Sequence, residues 1–131
     1  MKRILFLLVL TLTTTTAFAQ TAADSTNVEN VGNAPTYKLY KTQNMWVFIK
    51  LNTQTGRMKL VQYSINDDVD RGEFDLNMIN LAIGKEKING RFALTPTDNM
   101  WNFLLLDQID GDVWQVQWSL EPRNRGVIKI E

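Results

Sequence analysis

The chain has 131 residues, with 14 basic and 14 acidic side chains and neither cysteine nor histidine. Disulfides, thiolate nucleophiles, Ser-His-Asp triads and histidine-based zinc or iron sites are therefore excluded. The even charge balance leaves no electrostatic footprint for nucleic acid or an anionic membrane, and the length suits one domain.

Lys2 and Arg3 open the chain as a short cationic region, Ile4 to Leu12 is an apolar run, and Ala17-Phe18-Ala19 supplies small residues ahead of Gln20. That pattern predicts a cleaved secretory signal over 1–19. The apolar run is short and followed by threonines, so no stable membrane anchor is expected after cleavage. With no cysteine, a lipid anchor on that residue is ruled out. The expected location is periplasmic or extracellular. Removing Lys2 and Arg3 leaves 12 basic against 14 acidic side chains, a net charge of −2.

Residues 20–36 are mainly polar and small, with two isolated valines. Such a stretch buries too little to offset its ordering entropy, and it reads as a disordered tail. The expected domain is 37–131.

That domain is written nearly twice. Tyr37 to Ile65, shifted by 55 positions, lies on Phe92 to Leu120 without a gap, and 11 of the 29 positions are identical. The identities include Asn44/Asn99, Met45/Met100, Trp46/Trp101, Phe48/Phe103, Gly56/Gly111, Val61/Val116, Gln62/Gln117 and Ser64/Ser119. After a one-residue slip, Arg71-Gly72 falls on Arg125-Gly126. A period near 50 points to a module of a few strands that cannot cover its apolar face alone.

Each module, 37–76 and 91–130, reads as four antiparallel strands. The first is Tyr37 to Lys41, with Arg91 to Thr95 in the second copy. The second runs from Trp46 or Trp101 through bulky residues too short for a buried helix. Asn52 to Gly56 and Asp107 to Gly111 form the turn. The Asn or Asp side chain caps backbone two residues on, and the glycine supplies a positive φ. In the return strand Val61, Tyr63 and Ile65 alternate with Gln62 and Ser64, as Val116, Trp118 and Leu120 alternate with Gln117 and Ser119, the period of a half-buried strand. The fourth strand is Gly72 to Leu76, or Gly126 to Ile130. Between the modules, Leu76, Ile79 and Ile83 share a helical face, and one short helix ending at Gly84 is expected.

The expected fold class is all-β and antiparallel: two four-stranded repeats with pseudo-two-fold symmetry, packed as a sandwich or barrel. The alternative is a pair of propeller-like blades. Two blades do not close a propeller, so that arrangement requires oligomers.

Trp46, Trp101, Phe48 and Phe103 are expected in the core, with Gln62 and Gln117 as partners for buried indole N–H groups. Trp114 and Trp118 share one strand face, and only Trp118 has an aromatic equivalent, Tyr63. These three residues are the candidate ligand site, an aromatic platform for a sugar ring, although such stripes are usually packing. Asn66, Asp68 and Asp70 alternate oxygen ligands suited to calcium. Gly72 falls one place late for an EF-hand loop, and a solvated loop is the preferred reading. No carboxylate pair has a recognisable catalytic setting. No catalytic residue, metal or cofactor is expected.

Asn-Met-Trp-x-Phe, then Leu-Asn/Asp, Gly, and Val-Gln-Tyr/Trp-Ser, resembles a group of short exported proteins from Gram-negative, gut-type bacteria. The likeness covers about Tyr37 to Ile130. Its motifs imply kinship and carry no activity. Lys59 departs from the pattern, which has tryptophan there as the second copy does at Trp114. The hairpins are more weakly similar to those of propeller blades.

The functional expectation is an exported, non-enzymatic binding or scaffolding domain of the cell envelope. Its partner would be an envelope protein or a glycan, with no nucleic acid, and the chain would be a monomer or homo-oligomer. A glycan-binding module and a small carboxylate-dependent hydrolase are the alternatives.

Overall fold

The computed structural model describes residues 31–131; the expected signal over 1–19 and the segment 20–30 lie outside the described residues. Strands β1 (Tyr37–Lys41), β2 (Val47–Asn52), β3 (Met58–Gln62) and β4 (Gly72–Asn77) form one antiparallel meander. Strands β5 (Phe92–Pro96), β6 (Asn102–Asp107), β7 (Val113–Gln117) and β8 (Gly126–Ile130) form a second. The two four-stranded sheets stack as a sandwich, are not closed into a barrel, and share one hydrophobic core.

The repeat holds at the level of single hydrogen bonds. Thr42 Oγ1 donates to the Asn44 and Val47 carbonyls, and Thr97 Oγ1 donates to those of Asn99 and Asn102. The Asn44 and Asn99 side chains accept from the Trp46 and Trp101 amides at 2.9 and 3.0 Å. In the next turn Asn52 Oδ1 accepts from the Gln54 and Thr55 amides, and Asp107 Oδ1 accepts from those of Ile109 and Asp110. Gly56 and Gly111 close these turns at φ +73° and +79°, values that suit a residue without Cβ. Short side chains that satisfy turn amides thus fix strand ends and register in both copies.

The halves do not meet through equivalent faces. In β2 the buried positions are Val47, Ile49 and Leu51; in β6 they are Phe103, Leu105 and Asp107. Shifted by 55, the first set falls on Asn102, Leu104 and Leu106, which point outward. The return strands show the same inversion. Met58 and Leu60 are buried in β3, whereas Trp114 and Val116 are buried in β7, at the positions of Lys59 and Val61. Side chains alternate across a strand, so one copy buries the face that the other exposes. A two-fold axis between the sheets would bury equivalent positions of both. The sandwich expectation holds, but its halves are stacked head to tail, as successive blades are, and the expected pseudo-two-fold is absent.

Two further expectations are corrected. Residues 78–85 form bends and turns and not a helix. Asn77 explains this locally. Its side-chain amide donates to the Gly56 and Ile79 carbonyls and its Oδ1 accepts from the Ile79 amide, so the backbone is taken into a turn. The segment reading over 20–36 also extends too far. Ala34 is buried, Gly32 donates to the Asn89 carbonyl at 2.7 Å, and Thr53 Oγ1 donates to the Pro35 carbonyl at 2.8 Å. Residues 31–36 therefore pack against the linker between the repeats.

Candidate functional site

The predicted aromatic platform is overturned. Trp114 is 8% exposed and Trp118 1%, both inside the sandwich. Trp114 packs on Phe92 and Trp118 on Trp101, with ring centroids 6.0 and 5.0 Å apart. The Trp118 indole donates to the Met100 carbonyl at 2.8 Å; Gln117, expected as a partner for the Trp101 indole, donates to the Asn124 carbonyl. Neither ring retains an open face for a sugar. Tyr63, the third residue of that site, is 41% exposed on the outside of the first sheet, where it packs on Trp46. The three residues do not come together because the two tryptophans face the core between the sheets and Tyr63 faces outward. The four core aromatics also divide: Phe103 is buried, Trp46 and Phe48 are half-buried, and Trp101 is exposed.

The acidic loop Asn66 to Asp70 is exposed, and Asp67 pairs with Arg71 at 2.9 Å. A second charged cluster, missed in the sequence, lies at the second turn. Buried Arg91 donates through Nε and Nη2 to Asp107 Oδ2 at 3.0 and 2.7 Å and reaches Asp110 at 2.8 Å. Lys85 also pairs with Asp110. The hydrogen bond from Lys85 holds the Asp110 carboxyl below its ordinary pKa despite opposing desolvation, with the charges of Lys85 and Arg91 adding to it. Desolvation acts to lower the Arg91 pKa, but the hydrogen bonds and charges of Asp107 and Asp110 outweigh it and hold it raised. An acid kept ionised in this way is poorly suited to proton donation. The cluster's evident work is structural: it clamps the second turn to the residue that leads into β5.

What remains open is the pair of outer sheet faces. On the second sheet, Thr95, Leu104, Gln115 and Ile128 stand in one cross-strand row, and Ala93, Leu106, Val113 and Ile130 in the next. No charged side chain occurs in either row. Ile128 is 66% exposed, and Leu104, Leu106 and Ile130 are exposed beside it. An uncharged, largely apolar sheet face in water, interrupted here only by Thr95 and Gln115, is the usual mark of an interaction surface. The outer face of the first sheet is amphipathic. Its rows are Leu39, Lys50, Lys59, Asp75 and Lys41, Phe48, Val61, Glu73. Four of its five charges pair within the plane, Lys50 with Glu73 and Lys59 with Asp75. A groove at its edge, lined by Tyr37, Lys50, Arg57 and Lys59, is cationic, but those pairings neutralise two of its three cations.

Sequence reasoning missed Leu104, Leu106, Ile128 and Ile130 because the second copy was read as burying the same face as the first. The signal was present at the positions where the copies differ. No protein-family model, curated protein or solved structure matches the chain.

Proposed function

We propose that the chain is exported and acts without catalysis, as a binding or scaffolding module of the cell envelope whose working surface is the outer face of its second sheet. One observation carries this reading: Leu104, Leu106, Ile128 and Ile130 form an uncharged apolar patch on a regular sheet, held rigid from beneath by a packed core. Desolvating such a patch supplies association energy at about 25 cal/mol per Å² of apolar area, and a rigid sheet loses little conformational freedom on binding. The opposing feature of the molecule, the Arg91–Asp107–Asp110 cluster, is committed to internal pairing.

Photo-crosslinking in the producing cells tests the proposal. A photoreactive residue replacing Ile128 is expected to give discrete adducts; the same residue replacing Asp68, in the exposed acidic loop, is expected to give none. Absence of any adduct from Ile128 and also from Leu104 would remove the binding reading.

A further inference from the structure

We infer that the occupant of this apolar face is a second copy of the chain, docked head to tail through the outer face of that copy's first sheet. The inference rests on the proposed binding role of the face and names its partner.

The interface inside the molecule supplies the argument. It joins one face of the first repeat, here face A, to the opposite face of the second, face B. Face A presents the row Tyr40, Ile49, Leu60 and Phe74; face B presents rows through Leu94, Leu105 and Trp114 and through Phe103, Val116 and Val127. These residues belong to, or pack against, one core. Because the repeats are copies stacked in the same sense, the second sheet turns its own face A outward and the first sheet turns its own face B outward. Leu104 and Leu106 on the outside are the equivalents of Ile49 and Leu51 within. At the other end, Tyr37, Leu39, Phe48, Val61 and Tyr63 are the equivalents of buried Phe92, Leu94, Phe103, Val116 and Trp118. Each chain therefore ends in the two halves of an A–B contact it already makes once.

An A–B contact between chains is heterologous, so repetition gives a closed ring or an open filament and not a two-fold dimer. The blade-like stacking favours closure, since sheets succeeding one another in one sense around an axis form a propeller once enough are present.

The departures from the template set the strength. Outer face B carries Lys50, Lys59 and Glu73 where inner face B has Leu105, Trp114 and Val127. Lys50 and Lys59 are paired with Glu73 and Asp75 in the same plane, so the face keeps one net positive charge, at Lys41 on its edge strand, and its lysine stems lie along apolar surface. Contact between chains is therefore weaker than contact within one, and reversible with concentration.

The test is oligomer mass by light scattering and sedimentation. The protein is expressed from the whole sequence, purified as the cell delivers it, and measured over a wide concentration range. Wild type is expected to assemble to a small integral multiple of the protomer mass. Leu39→Lys blocks outer face B and Ile128→Lys blocks outer face A; both residues are exposed, and unchanged melting temperatures confirm folding. Each variant alone is expected to be monomeric, and their mixture to give a one-to-one dimer, since each retains the face the other lacks. Lys59→Trp, which restores the template, is expected to tighten wild-type assembly about tenfold. A monomeric wild type at every concentration overturns the inference. So does a Leu39→Lys variant that still dimerises, which would mean a two-fold contact between second sheets. If crosslinks from Ile128 reach only proteins of another mass, the binding role stands and self-docking falls.

Discussion

The two repeats carry the same turns, the same threonine and asparagine brackets and the same register across their first three strands, yet Ile49 is fully buried while its equivalent Leu104 is 37% exposed. The residues that shape the backbone are thus separable from those that choose which side of the sheet faces the core. Identical positions such as Asn44/Asn99 and Gly56/Gly111 do the first. Four differing positions do much of the second. Val47 and Leu60, buried in the first sheet, become Asn102 and Gln115 outside the second; Lys50 and Lys59, outside the first, become Leu105 and Trp114 inside the second. Each exchange follows the cost of burying a polar group against the gain of burying an apolar one.

The largest effect expected from breaking this comparison comes at that pair. Ile49→Lys places an ammonium in the core between Tyr40 and Leu60 on the neighbouring strands, at a cost of about 4 kcal/mol or more, comparable to the whole stability of a small domain. Leu104→Lys makes the same chemical change at the equivalent position and is expected to shift stability by no more than about 0.5 kcal/mol. Urea denaturation of both variants measures the difference at protein concentrations low enough to suppress association. Equal destabilisation would mean that both copies bury the same face.

The strands, turns and duplication were legible because they rest on local chemistry. Tyr37 to Lys41 matches β1 residue for residue, and the Asn52–Gly56 and Asp107–Gly111 turns follow from a capping side chain and a positive φ. The facing of the sheets was not legible from identities. Val61 and Val116 are the same residue, one on the outer face of the first sheet and the other in the core, so identity does not report environment, and the shared strand face of Trp114 and Trp118 reads as a platform although both rings are buried. The informative signal was the reciprocal exchange of polar and apolar residues at alternate positions, of which Lys59 against Trp114 is one member. The Arg91 cluster was hidden for another reason: Thr36, Asn52 and Thr55 stand at the corresponding places in the first repeat, so it belongs to one copy only.

A smaller difference is expected at the paired glycines. Both need a positive φ, so either alanine variant carries about 1–2 kcal/mol of backbone strain. At Gly111 nothing lies within 4 Å of an added Cβ, whereas at Gly56 that atom would sit 2.9 Å from Leu81 Cδ1. Gly56→Ala therefore adds repacking of the linker, and a total of about 2–3 kcal/mol is expected. Melting temperatures of the two variants check the order. A Gly111→Ala variant less stable than Gly56→Ala would break the assignment of Leu81 as the first turn's brace.

The smallest effect concerns pH, and it separates the repeats because only the second turn carries a charged clamp. Asp110 has a folded pKa below its ordinary 3.8. Its contribution to stability is therefore complete above the unfolded value and is lost as pH falls through the folded one. Lys85 has a folded pKa above 10.5, so its contribution is complete below that value and is lost as pH rises past it. Between about pH 5 and 9 neither group titrates, and the melting temperature should be level as far as this cluster sets it. Asp110→Asn removes the acid-side titration at this site, so its melting temperature should fall less than that of wild type between pH 5 and 2.5. Thr55→Asn, at the equivalent place in the first turn, removes no charge and should leave the wild-type acid slope intact. Parallel slopes for wild type and Asp110→Asn would mean that Asp107 and Arg91 hold the second turn without Asp110, and that the clamp is a two-residue pair.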